Sequence, residues 1–438
     1  MSAGRLDDAL KAGREWVALE PASPYPYQQV ARVLHVRGDH AAISRIVGEL
    51  DRIGRETTDP KTLAGIRSAR ASILADEGDL KEAVAEANAA VAAEPKNPFN
   101  YLLRAQLLRR RDGFEAMAQD CRLAASIPEE EPDRLFSRAI HLNGDCRMEE
   151  PALADFEAAA RIAPEWNRIW WRLGSTLFHL DRYEEAVRAF ERARKLGVDA
   201  SSDRVWTWAL LALRRDEEAL RVAYAVIERM PGRGSAYAFK GEILATIGRS
   251  AEASESITRG IQLEPERDWV PYVARAEASL VGGLRTCEEN LADLDKALKL
   301  NPDARSGVAL VAGMWLSQRC PALYDSRRFE ALAREAVALD ARVGSGHAAL
   351  GVVLFEAGHY TEARGELDQV LKTPDWWYPS ADVIPLQYLA MTEWQLGNRL
   401  AARDYQKRAA ALIDRFNPKD PGFLQDQKRV NALLGTVG

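Results

Sequence analysis

The side chains best able to do chemistry are six histidines, four cysteines, a few paired carboxylates and one glycine-rich loop, and their spacing argues against a reaction at any of them. The histidines are His35, His40, His141, His179, His347 and His359. A zinc site on one helix needs two imidazoles one turn apart, as in H-E-x-x-H, and no such pair occurs. Glu184-Glu185 and Glu217-Glu218 fall where helices should begin, and acids there favour the free N–H groups of a first turn. Glu129-Glu130-Glu131-Pro132 reads as an exposed acidic loop. General acid–base chemistry needs carboxyls that converge in a pocket, and nothing in the pattern brings these together. Pro231-Gly-Arg-Gly234, followed by Lys240, has the look of a phosphate loop but lacks a preceding strand and a third glycine, so it is expected to be a turn between helices. Cys121, Cys146, Cys287 and Cys320 form no C-x-x-C pair and sit in separate segments. They are expected to be single buried thiols in a reducing compartment. The expectation is a chain with no metal, no cofactor and no catalytic residues, hence not an enzyme.

The bulk composition points the same way. Of 438 residues, 47% are hydrophobic and 28% charged, the balance of a folded soluble protein. A net charge of −6 with a pI near 5.8 argues against nucleic acid as a partner, since binders of a polyanion are usually basic. The first residues, MSAGRLDDALKAGREW, hold no apolar leader core, and no apolar run approaches the ~18 residues a membrane span needs. A cytoplasmic protein without membrane insertion is expected.

What positions the side chains is a repeat. Pro95, Pro128 and Pro164, then Pro231, Pro265 and Pro302, recur at about 34 residues, or a little more where a turn is lengthened. Between successive prolines lie two amphipathic stretches separated by a turn, often at glycine (Gly38, Gly358). Ala83, Ala186, Ala253 and Ala363 are small where the second helix must cross the first, and Phe156, Phe190, Ile257 and Leu367 fill the space beyond. No single unit can bury its apolar face, so the units must stack. The units are a half repeat at residues 1–21, then about eleven repeats to residue 420, and a capping helix over 421–438 with Gln425, Asp426, Gln427, Lys428 and Arg429 on its outer face. Asp120, Asp155 and Asp293 in second helices, with Arg70, Arg104, Arg138 and Arg275 in first helices, are expected to form ion-pair ladders between repeats.

Trp170-x-x-Leu173-Gly174-x-x-Leu177, then Tyr183-Glu-Glu-Ala186-x-x-x-Phe190-x-x-Ala193, resembles the tetratricopeptide consensus. The resemblance implies an all-α fold, a right-handed α-solenoid of stacked helix–turn–helix repeats. It implies further that first-helix residues off the packing face line a concave groove that takes up a protein or peptide. Aligned on that family, Phe136, Trp171, Phe178 and Trp208 fall in the groove, with Phe355 and Trp394 in later repeats. Arg32, His35, Arg109, Glu242 and Glu277 fall beside them. Aromatic rings flanked by charges suit capture of an extended or helical peptide. The basic–amide set with which some members hold a C-terminal carboxylate is absent: the matching positions are Tyr25, Gln28, Arg32, Ser68, Ser72, Leu102 and Gln106.

A narrower resemblance covers Gly307 to Gly435. Trp315-Leu-Ser-Gln-Arg-Cys-Pro321, the His347–Ala363 unit and Tyr388-Leu-Ala-Met-Thr-Glu-Trp-Gln-Leu-Gly397 resemble the C-terminal repeats of large planctomycete-type bacterial serine/threonine protein kinases. The kinase motifs H-R-D, D-F-G and V-A-I-K are not in this chain, so the activity is not implied. Together with the missing first helix of the half repeat, the resemblance implies an alternative role as the sensory or substrate-recruiting piece of a longer kinase.

Overall fold

A computed structural model describes residues 3–197, 203–339, 344–372, 382–416 and 421–435. Among them every regular element is a helix, and the chain divides into two compact units at Thr176/Leu177.

The first unit opens with α1 (Ala3–Leu19) and continues through α2 (Pro24–Arg37), α3 (His40–Glu56), α4 (Pro60–Asp76), α5 (Leu80–Ala93), α6 (Pro98–Asp112), α7 (Phe114–Ser126), α8 (Pro132–Gly144) and α9 (Glu149–Ile162). The division falls inside α10 (Asn167–His179). The second unit holds α11 (Tyr183–Lys195), α12 (Asp203–Ala212), α13 (Asp216–Arg229), α14 (Gly234–Thr246), α15 (Ser250–Leu263), α16 (Val270–Gly282) and α17 (Cys287–Leu300). Its next first helix is broken into α18 (Arg305–Val311), a π-helical turn (Ala312–Leu316) and α19 (Ser317–Arg319). There follow α20 (Ser326–Leu339), α21 (Gly344–Glu356), α22 (Tyr360–Lys372), α23 (Val383–Gln395), α24 (Arg399–Phe416) and α25 (Pro421–Leu434). The expected repeat boundaries at Val198/Asp199, Ala341/Arg342, Pro374 and residue 420 lie outside the described residues.

Within each unit a first helix packs on its own second helix, on the second helix before it and on the next first helix, as α4 and α6 do in one unit and α14 and α16 in the other. This is the α-solenoid of helix pairs. Ala83, Ala186, Ala253 and Ala363 are fully buried at the crossings, and Phe156, Ile257 and Leu367 are fully buried beside them. The fit leaves no room for a side chain at two crossings. A Cβ on Gly241 would lie 2.3 Å from the Ile257 side chain, and one on Gly351 2.6 Å from Leu367.

A recurring bond explains why an aromatic with a polar edge opens so many first helices. Tyr27 Oη donates to the Pro21 carbonyl, Tyr101 Oη to Pro95, Trp170 Nε1 to Pro164 and Tyr272 Oη to Pro265, at 2.8–3.1 Å. Proline ends the preceding helix, and its free carbonyl is the acceptor that the ring finds one turn later.

Two expectations are corrected. The ion pairs are chiefly within repeats: Arg104 to Asp120, Arg138 to Asp155 and Arg275 to Asp293 each join a first helix to its own second helix through two parallel bonds of 2.6–2.8 Å. The same guanidinium then reaches back to the preceding second helix, at Asn88, Ala124 and Thr258. Arg70 does both with Glu86 and Asp51. A fork of five donors in this place ties three helices at once.

The cysteines are the second correction. All four are paired, Cys121 with Cys146 and Cys287 with Cys320, each with Cα atoms 5.8 Å apart. Both bonds have the same topology, from a second helix to the turn after the next first helix. Residues about one repeat apart are neighbours in a solenoid, so cysteines in different repeats meet.

Candidate functional site

The site is built on the first helices. Nine of them have a small residue where the second helix approaches, namely Ala71, Ala105, Ala139, Gly174, Ala209, Gly241, Ala276, Gly351 and Ala390. Counting from it places every other side chain. The residue just before it is the arginine tie in four repeats, so that register faces the preceding second helix. The residues three before, one after and four after face along the row of first helices.

In this register Phe136 and Trp171 are equivalent, but Trp208 is not their counterpart. It stands immediately before Ala209, in the place of the tying arginines, and the ring in the Phe136 register is Trp206. The run Ala209-Leu210-Leu211-Ala212-Leu213 offers several small or apolar anchors, so the pattern alone does not fix the register there. Trp206 is itself buried under Arg194.

Several expected contacts are covered inside the array. Phe136 is buried between Phe156 and Trp166, with Arg168 over its face. Phe178 is buried against His179 and Tyr183. Phe355 is buried against Tyr360 and Tyr388. Others retain surface. Trp171 and Trp394 are half-buried, the latter capped by Arg399 at 3.7 Å. Arg109 is exposed, beside the Asp145 that Gln106 and His141 also hold. Glu242 pairs with Arg204 of the preceding first helix; burial raises its carboxyl, with that guanidinium opposing. The Phe136–Trp171 and Phe178–Trp208 positions belong to different units.

Pro231-Gly-Arg-Gly234 is an inter-repeat turn, and its Gly234 N–H donates 2.6 Å to Glu264, a carboxylate where a phosphate would have to sit. His347 is buried and bonded to Glu366 at 2.6 Å. Among the described residues no cluster of three or more His, Cys, Asp or Glu is placed to hold a metal, and no helix is long and apolar enough to cross a membrane.

The largest departure from expectation is α25. Its run Gln425–Arg429 is not a solvated outer face, because the helix lies against the first helices of its unit. Gln425 meets Gln318 and Arg319 of α19. Arg429 donates 2.8 Å to Glu356 of α21 and 3.0 Å to Tyr388 of α23. Gln387 of α23 donates to the Phe423 carbonyl and to Gln427. Gln406 of α24 donates to Asn431 and to the Gly435 carbonyl at 2.6 Å, where Arg403 also reaches. Val430 and Leu434 join the apolar core beneath. The π turn contributes by adding a residue to the helical path just ahead of Gln318 and Arg319, which re-aims them.

Two carboxyls share one guanidinium in this seat. Asp426 is fully buried, Arg429 touches it at 3.3 Å, and burial pushes its carboxyl up to about 7. Burial also raises Glu356, against the pull of Arg429. Tyr388 stays neutral, raised by burial, and the other facing groups are Gln318, Arg319, Gln387, Arg403 and Gln406. A carboxyl with a raised pKa stabilises the seated state at low pH, and that contribution is lost as the pH climbs through about 7. Opening of α25 is therefore expected to be about tenfold more frequent at pH 8 than at pH 6. Hydrogen exchange of its amides, corrected for intrinsic rates, measures this; pH-independent opening would contradict the burial of Asp426.

Comparison with known proteins adds the following. The model of the family described as "Tetratricopeptide repeat" matches residues 168–197, which is α10 and α11. No curated protein sequence matches the chain. Similar solved structures include yeast Tom70, 13% identical over 94% of this chain and 95% of that one, with a TM-score of 0.42. The Cut9–Hcn1 hetero-tetramer of the APC/C is 12% identical over 98% and 89%, at 0.42. A tetratricopeptide repeat protein from Parabacteroides merdae is 23% identical over 54% and 93%, at 0.41. The chain thus contains a tetratricopeptide repeat at α10–α11, set in an all-α array of helix pairs built the same way.

Proposed function

We propose that the chain is a non-catalytic scaffold that binds helical or extended segments of other proteins along the faces of its first helices. The observation that carries this reading is α25: a helix with an amphipathic, partly charged surface lies on such a face, held by side chains from α19, α21, α23 and α24. The first unit offers a comparable mixture at Trp171 and Arg109. A recruiting role beside a kinase domain would use the same faces and adds no residue to the site.

Selection of displayed helical peptides against the immobilised full chain tests the reading. Peptides that bind the first unit are expected to lose at least tenfold in affinity to a Trp171→Ala, Arg109→Ala variant of unchanged helical content. Selected peptides that ignore substitutions on every first-helix face would refute it.

A further inference from the structure

We infer that the seat under α25 is a binding site for a partner protein's amphipathic helix, and that α25 is its resident occupant, displaced when the partner binds. The inference rests on the scaffold reading and names the partner class for one of its faces.

Three observations lead there. The seat is polar and chemically specific where a simple end-cap would be apolar. Glu356 and the Tyr388 hydroxyl receive a guanidinium, Gln318 and Arg319 receive a carboxamide one turn earlier, and Arg403 with Gln406 receives the carbonyl at the helix C-terminus. These groups come from four separate helices and converge on one helical ligand. Secondly, α25 fits the seat imperfectly. Gln387 Oε1 and Asp426 Oδ2 are buried without a hydrogen-bond partner, and Asp426 brings a second carboxyl to a guanidinium that Glu356 already neutralises. A buried polar atom left unpaired weakens the complex that contains it, so a better-matched helix can compete. Thirdly, the faces that α25 presents spell the code of the competitor. The code is an amide, an arginine four residues later, a valine-like residue next to it and a leucine four further on, as in Gln425, Arg429, Val430 and Leu434. A neutral residue in place of Asp426 would improve the match. The partner is thus a helix with arginine on its apolar edge and its C-terminus facing Arg403.

The probe is a fluorescein-labelled peptide with the sequence of residues 421–438, titrated against the full chain. With α25 seated, binding should be weak. In an Arg429→Ala, Val430→Asp full chain, which unseats α25, the probe should bind at least tenfold tighter, and a probe carrying Asp426→Asn tighter again at pH 8. Adding Glu356→Gln and Gln406→Ala to the unseated chain should remove at least tenfold of that gain. Equal binding by the wild-type and unseated chains overturns the inference, as does loss of cooperative melting in the unseated chain, which would make α25 a structural closure. Independently of any variant, wild-type α25 amides should exchange at least 100-fold faster than those of α21 and α23; equal protection overturns it too. Dimers that form with rising concentration and vanish in the unseated chain would make the occupant a second copy, contrary to the inference. If the probe fails while first-unit peptides still bind, only this inference falls; if both fail, the scaffold reading falls with it.

Discussion

Asp155→Ala is expected to destabilise the first unit by about 3–5 kcal/mol, the usual cost of orphaning a buried charge. Arg138 has only 5% of its side chain exposed and Asp155 9%, and their two parallel bonds are 2.7 Å each. Without the carboxylate, the guanidinium keeps carbonyls of the preceding repeat, Ala124 among them, as its remaining partners. The penalty therefore comes from the stranded cation more than from the lost attraction. Asp155→Leu with Arg138→Met should recover most of the loss, since apolar pairs of similar volume often replace buried ion pairs at little cost. Urea unfolding of the wild-type chain and the two variants measures the difference. The loss should be seen first as faster amide exchange in α7, α8 and α9, because one guanidinium joins them. A change below about 1 kcal/mol in the single variant would show that the pair is worth no more than a surface pair.

Reduction of both disulfides is the second large effect. Loops of 25 and 33 residues are closed, and the chain-entropy treatment assigns about 3–4 kcal/mol to each. Reduction should lower the denaturant midpoint of both units. Cys121→Ser with Cys146→Ser should reproduce the effect in the first unit alone, and the Cys287–Cys320 pair in the second. Four thiols that alkylate fully in the native, unreduced protein, with no shift on reduction, would sink the assignment. The pairing also removes the argument for a reducing compartment, which rested on the cysteines being single.

How far the sequence could be read depends on whether a feature repeats. Proline spacing and small crossing residues recur in nearly every unit, so the helix pairs and their contacts at Ala253–Ile257 and Ala363–Leu367 were legible. The arginine and aspartate periodicity was legible too, but not its partner choice, since own and preceding second helices are equally near in the pattern. The cysteine pairs needed only the rule that positions one repeat apart are neighbours. Trp208 was misplaced because the anchor Ala209 stands among other small and apolar residues. The seat of α25 was hidden for a different reason: Gln425 to Arg429 is a polar run, and only side chains from four distant helices make its burial possible. No local pattern shows such a meeting, and the π turn that aims two of those side chains has no signature in Gly-Met-Trp-Leu.

The ring-to-proline bonds bear on how such a chain could be lengthened or shortened by gene rearrangement. Donor and acceptor lie six or seven residues apart, Tyr101 with Pro95 and Tyr272 with Pro265, so each first helix that carries the bond takes its tilt from its own leading proline. A cassette cut at the turn between the two helices of a pair carries proline and ring together and brings its geometry with it. A cut between proline and ring separates them and leaves the new helix without its anchor. Duplications with breakpoints in the inner turns should therefore yield arrays that fold, and those with breakpoints just after the prolines should not.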